Sequence, residues 1–216
     1  MITVVITSCN RLDFLKVTTD SFLRFNTYPI SEYIIVDDSG SADAHNELRR
    51  LYPDWTLLLH PTHRGQIQCI DDAYDHVKTP YIFHCEDDWE FFKEGFMLPS
   101  LMILEHDKRP MLVWLRHPEN FPVEPEVYNA EGIEYRLLGT DISGSWHGFS
   151  WNPSLRRLSD YKLVAPFTKF IQEGDFNALT ECRIGIELYE KYHLKAAIIN
   201  DEYCKHIGES RRAVPC

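Results

Sequence analysis

No apolar run in the chain approaches the roughly 18 residues needed to cross a bilayer. The opening Met1-Ile2-Thr3-Val4-Val5-Ile6-Thr7 lacks the basic start and long apolar stretch of a signal peptide and reads as a strand. There is no internal repeat, no low-complexity tract, no Walker loop and no G-x-G-x-x-G. The six cysteines are scattered without C-x-x-C spacing, which argues against a structural zinc site and for reduced thiols in a cytoplasmic protein. Basic residues are in short supply. Lys and Arg number 22 against 33 Asp and Glu, a formal charge of -11. Phosphate backbones and anionic lipid heads would repel such a chain, so nucleic acid is not an expected partner.

What is present is ordinary globular composition, 44% apolar and 25% charged over 216 residues. That length suits a single domain. The first half alternates two periodicities. Strand-like runs at Thr3–Ser8, Tyr33–Val36, Trp55–Leu59, Tyr81–Cys85 and Met111–Leu115 are separated by helical patterns. Those patterns lie at Leu12–Asn26, Ala42–Tyr52, Gly65–Val77 and Phe96–Glu105. The alternation predicts an α/β fold with a mostly parallel sheet and helices on both faces. The second half is Pro-rich at Pro118, Pro122 and Pro125, with strand-like pieces at Glu134–Leu138 and Leu194–Ile199 and a helix within Asp175–Tyr192.

In a parallel sheet, ligands sit where the loops leave the carboxyl ends of strands. Asn10-Arg11, Asp37-Asp38 and Glu86-Asp87-Asp88 each follow a strand directly and are therefore expected to share one crevice. Three successive carboxylates repel one another unless a cation lies among them, and oxygen donors select Mg²⁺ or Mn²⁺. The alternative is a solvated acidic loop. Asp37-Asp38-Ser39-Gly40 suits either hydrogen bonding to a nucleoside or a tight turn. Arg11 suits a phosphate, or a place at the surface. Arg64, ahead of a helix start, suits an anion or a plain turn. His206 lies in a tail with Arg211 and Arg212. That tail either folds over a pyrophosphate and lends a metal ligand or frays.

Together these segments resemble family 2 glycosyltransferases of the GT-A, Rossmann-like fold. The resemblance runs over about residues 1–100, in Thr7-Ser8-Cys9-Asn10-Arg11, in Val36-Asp37-Asp38-Ser39-Gly40-Ser41 and in the acidic Glu86-Asp87-Asp88. It implies transfer of a sugar from a nucleotide-sugar donor, a UDP-sugar first among them, to a glycan or other hydroxyl acceptor, with inversion. It implies that residues 1–116 bind the donor and residues 117–216 the acceptor. Ser8, Asn10, Arg11, Asp37, Asp38, Arg64, Glu86, Asp87 and Arg211 would bind the nucleotide sugar. Asp38 would meet the base edge, and Glu86 or Asp87 the ribose and metal. Asp88 and His206 would hold Mn²⁺ or Mg²⁺. The family's catalytic base lies in an E-D pair before a late helix. Here that segment resembles Thr180-Glu181-Cys182, with Cys182 in the Asp position. Glu181 is then the expected base and Asp175 its competitor.

Trp146, His147 and Trp151 offer faces to an acceptor sugar or pack in the core. Two other readings stand beside transfer. One is a metal-dependent phosphohydrolase, although its D-x-D-G belongs after the first strand. The other is a non-catalytic nucleotide- or carbohydrate-binding module. The ending Ala213-Val214-Pro215-Cys216 suggests a domain of a longer chain, similar to glycosyltransferases of large DNA viruses.

Overall fold

A computed structural model describes residues 1–140, 146–174 and 177–209. The chain opens with β1 (Ile2–Ser8), α1 (Leu12–Phe25), β2 (Glu32–Asp37), α2 (Ala42–Leu51), β3 (Thr56–Leu59), α3 (Gln66–His76) and β4 (Tyr81–Glu86). It continues with β5 (Trp89–Phe91), α4 (Met97–His106), β6 (Pro110–Trp114), β7 (Tyr128–Ala130), β8 (Ile133–Leu137) and β9 (Ser154–Arg157). It closes with α5 (Leu158–Val164), α6 (Asn177–Tyr192), β10 (Lys195–Ile199) and β11 (Cys204–His206).

Nine strands form one sheet in the order β3-β2-β1-β4-β9-β6-β10-β8-β7. Only β9 and β8 run against the common direction, so the sheet is mostly parallel. All seven residues of β1 are buried, because it lies inside the sheet with helices over both faces. Its side chains alternate between two cores. Ile2, Val4 and Ile6 join Leu15 and Phe22 of α1, Leu48 of α2 and Leu101 of α4 on one face. Val5 joins Ile70 of α3, Val164 of α5 and Ile184 of α6 on the other.

The strands and helices expected in the first half are all present, within a residue or two at their ends. Strand β9 has no counterpart in the sequence reading, since Ser154-Leu155-Arg156-Arg157 carries two cations. Yet all four residues are buried between β4 and β6. The Arg157 guanidinium explains how. It donates to the carbonyls of Leu104 and Asp107 at the end of α4, to Pro110 O at 2.7 Å and to Asp160 at 3.0 Å. A helix end that would otherwise leave carbonyls without partners is thereby closed by a strand residue. The two-stranded β5–β11 sheet was also not anticipated; three-residue strands give no measurable periodicity.

Asp71 locks α3 in place. Its buried carboxylate accepts from the Tyr161 hydroxyl at 3.0 Å, Phe167 N at 2.8 Å and Thr168 N at 2.9 Å. No described helix is long and apolar enough to cross a membrane. The five described cysteines are free thiols.

Candidate active site

Strands β1, β2 and β4 are parallel and in register, with Ser8 opposite Asp37 and Thr7 opposite Glu86. Their loops therefore leave the sheet along one edge. A crevice of about 300 Å³ opens there. Thr7, Ser8, Cys9 and Arg11 line it from β1 and its loop, Asp38 from β2, and Glu86 and Asp87 from β4. His63, Gly65, Gln66 and Cys69 contribute from the start of α3, and Asn177 from α6.

Arg11 does not face open space. Its guanidinium donates to both oxygens of Asp87 and, at 2.7 Å, to Asp88 Oδ2. Adjacent buried carboxylates need a cation nearby, and this chain carries one three residues past the end of β1. Burial pushes Asp87 up to about 7, even against the pull of Arg11. Burial likewise raises Glu86, and Asp88 adds to it. Glu86 accepts from Gln66 Nε2 at 2.8 Å. The Thr18 hydroxyl on α1 donates to the Asp87 carbonyl at 2.7 Å and accepts from Trp89 N at 3.0 Å, which fixes the acidic turn.

Asp88 and His206 meet, with His206 Nε2 3.2 Å from Asp88 Oδ2. The cause is the antiparallel pairing of β11 on β5, which sets His206 opposite Trp89. Asp88 O also accepts from Ile207 N at 2.9 Å. The tail passes so close that a Cβ at Gly208 would fall 2.1 Å from Asp88 Oδ2, so only glycine fits. Asp88 Oδ1 is buried without a hydrogen-bond partner. Among the described residues no group of three or more His, Cys, Asp or Glu is arranged around one metal position. Asp88 and His206 nevertheless suit Mg²⁺ or Mn²⁺, which take one or two protein ligands and complete their shell with phosphate oxygens and water.

Asp38 lies in the crevice wall, and its carboxylate is well occupied. Oδ1 accepts from Arg64 N at 2.7 Å, Oδ2 from Gly65 N at 2.8 Å, and His63 Nδ1 stands 2.8 Å from Oδ2. It thus braces the entry to α3. Asp38→Asn leaves one carbonyl oxygen where two oxygens accepted, so one backbone N–H loses its partner. A loss of about 1–3 kcal/mol in unfolding free energy is expected. Denaturant melts would check it, and an unchanged midpoint would show that the 63–65 turn holds without this carboxylate.

The remaining expected residues divide. Ser8 and Glu86 line the crevice. Asp37 is fully buried beneath it, accepting from Ser39 N at 3.0 Å and facing His45 Nε2 at 3.3 Å. Asn10 forms the turn after β1 with φ +53° and is exposed. The Arg64 guanidinium turns outward to Asp72. Trp146 packs on Trp114 and Phe121, and His147 stacks on Tyr189 with centroids 4.1 Å apart. Neither lines the crevice. Asp175 and Arg211 lie outside the described residues.

Glu181 follows Asn177 by one turn of α6, hence on the same face. It keeps a partial opening to solvent, and its Oε1 accepts from Trp151 N at 2.7 Å. Burial pushes its carboxyl up to about 7, and nearby Glu86 adds to this. The Trp151 N–H, Ser150 and Arg156 pull the other way.

Gln66 and Asn177 were not anticipated. Asn177 Nδ2 donates to Gln66 Oε1, joining α6 to α3 beside the crevice. Neutral amides at unremarkable spacings carry no signal that sequence reading could use.

A family model described as glycosyl transferase family 2 matches residues 3–154. No curated protein matches the chain significantly in sequence. Among solved structures, S. aureus TarS residues 1–349 in complex with UDP-GlcNAc superposes with TM-score 0.65 at 13% identity, covering 98% of this chain and 61% of that one. A second structure of the same TarS fragment gives TM-score 0.64 at 14% identity, covering 94% and 59%. The mannosyltransferase PcManGT from Pyrobaculum calidifontis, in complex with GDP-Man and Mn²⁺, gives TM-score 0.67 at 16% identity, covering 98% and 58%. At such identities the likeness is one of fold, and the chain spans less than two thirds of each of these structures.

Proposed function

The chain belongs to glycosyl transferase family 2, and on that premise we propose that it moves a sugar from a nucleotide-sugar donor to a hydroxyl acceptor, with inversion. Its architecture is the GT-A fold, a mostly parallel sheet covered on both faces. The observation that supports the proposal is the convergence of carboxylates, a guanidinium and an imidazole at one end of the parallel strands. Asp87, Asp88 and His206 lie there, with Glu181 one helical turn from a residue that lines the same crevice. Residues 1–116 supply most of that lining and would hold the donor; residues 117–216 would hold the acceptor.

The nucleoside diphosphate would lie along the ends of β1, β2 and β4, with its base toward Asp38 and its ribose toward Glu86 and Asp87. Asp88 and His206 would hold Mn²⁺ or Mg²⁺, and the orphaned Asp88 Oδ1 is the natural donor. The ion would neutralise the charge that grows on the leaving diphosphate. Arg11 adds a second cation at the same place. Glu181 would accept the proton of the acceptor hydroxyl as its oxygen bonds to the anomeric carbon. The bond to phosphate breaks and its electron pair leaves with the nucleoside diphosphate.

UDP is our first choice of nucleotide, since a TarS structure contains UDP-GlcNAc. GDP is the comparison, since PcManGT contains GDP-Man. The free thiols support a reducing, cytoplasmic setting. The phosphohydrolase reading finds no support, because Asp37 is buried and engaged with Ser39. Melting curves with UDP and GDP in Mn²⁺ provide the test. At a hundred times the dissociation constant a bound nucleotide adds about 2.7 kcal/mol. UDP raising Tm more than GDP, with slow UDP release from a UDP-sugar, is the expected result. No shift with any nucleoside diphosphate and no release from any nucleotide sugar would overturn the proposal.

A further inference from the structure

Behind the crevice the sheet buries a cation. Arg156 of β9 is 3% exposed. It points to the face opposite Arg157, among Tyr74 of α3, His84 of β4 and the segment 149–151. Its Nη2 donates to Ser150 O at 2.9 Å and to Ser154 Oγ at 2.6 Å, and its guanidinium lies over the Phe149 ring at 5.5 Å. A guanidinium so placed is costly unless an anion balances it.

The Ser150 carbonyl and the Trp151 N–H belong to one planar peptide unit and point in opposite directions. Arg156 holds the first, and the Glu181 carboxylate accepts from the second at 2.7 Å. Cation, peptide and carboxylate thus form a continuous chain. A cation on the carbonyl polarises the peptide and makes its N–H a stronger donor. The chain favours a charged carboxylate at its far end.

The other groups facing this chain do not replace Arg156. Glu86 from β4 is an anion and opposes a charge on Glu181. His84 from β4 is fully buried, and burial with Arg156 beside it drives its imidazole well below the usual range, leaving it neutral. Tyr74 from α3 carries a neutral hydroxyl beside the guanidinium, and burial raises it further from ionisation.

We propose that Arg156 is a positioning residue for transfer: through the Ser150–Trp151 peptide it fixes the Glu181 carboxylate and keeps it ionised for proton uptake. This rests on the reading of Glu181 as the base. Arg156 touches no reacting atom. Its role is to set the pH above which the base works.

The experiment is a pH–rate profile of transfer for wild type, Arg156→Lys, Arg156→Gln, Arg156→Met and Glu181→Gln, with UDP affinity and circular dichroism measured alongside. Removing the cation while keeping the fold is expected to move the acidic limb up by about one pH unit. Turnover at pH 7 then falls about fivefold and recovers near pH 9, with UDP affinity unchanged. Arg156→Lys, which keeps the charge, is expected to stay near wild type. A folded Arg156→Gln or Arg156→Met with an unmoved limb, while Glu181→Gln has lost turnover, would overturn the relay alone. Full turnover in Glu181→Gln would instead remove the base reading and the relay with it. If neither neutral variant folds, the amide-proton shift of Trp151 in the wild type decides. It is expected to titrate with the midpoint of the acidic limb, and a flat shift would overturn the proposal.

Discussion

Glu181→Gln is expected to lower sugar transfer by about 10²–10⁴-fold while UDP binds as in the wild type. The amide keeps the size of the side chain and an oxygen to accept from Trp151 N. What it loses is the capacity to take up a proton. A base whose carboxyl is pushed up to about 7 works only when ionised. Transfer should therefore climb as pH rises through about 7 and fall away below it, the sign opposite to that of a catalytic acid. Asp175→Asn, measured in the same assay, is expected to leave turnover near normal. Loss of activity in Asp175→Asn alone would move the base to that residue. Loss of nucleotide affinity in Glu181→Gln would make Glu181 part of the donor site instead.

Asp88→Ala is expected to bring transfer down by on the order of 10³-fold, because a bound divalent ion supplies several kcal/mol of charge stabilisation. The effect of Mn²⁺ on UDP affinity should vanish with it. The fold should survive, since Arg11 keeps both of its bonds to Asp87. The Ile207 bond to the Asp88 carbonyl is also untouched, being made to the backbone. Wild-type enzyme transferring as fast in EDTA as in Mn²⁺ would rule out the metal role. Asp88→Ala that still shows metal-dependent nucleotide binding would shift that role to Glu86 or Asp87.

The strand-end wall of the crevice was legible in the sequence because its residues are local to strand ends. A buried parallel strand reads as a continuous apolar run. The residue after it must lie at the sheet edge, so Arg11, Asp38, Glu86 and Asp87 could be grouped without coordinates. Residues outside that pattern were harder to read. Asp37 and Asp38 are neighbours of the same type, yet Asp37 is buried under Ser39 while Asp38 lines the crevice. Only the turn geometry separates them. Arg64 was read for its charge, whereas its backbone N–H meets Asp38 and its guanidinium leaves for Asp72. Trp146 and His147 were weighed for an acceptor surface and stand against other aromatic rings.

The sequence by itself determined the alternation of elements, the parallel sheet and the edge at which chemistry would gather. Local periodicity and the register of 2.0 or 3.6 residues are written in neighbouring positions. Tertiary structure alone decided which distant residues arrive at that edge. His206 reaches Asp88 because β11 pairs with β5 across more than a hundred residues. Arg156 and Glu181 share one peptide because β9 inserts antiparallel between β4 and β6 while α6 packs on the same face. Strand pairing and helix packing across such separations leave no period in the sequence. Burial then turns ordinary carboxylates at that edge into groups that hold or release protons near neutral pH.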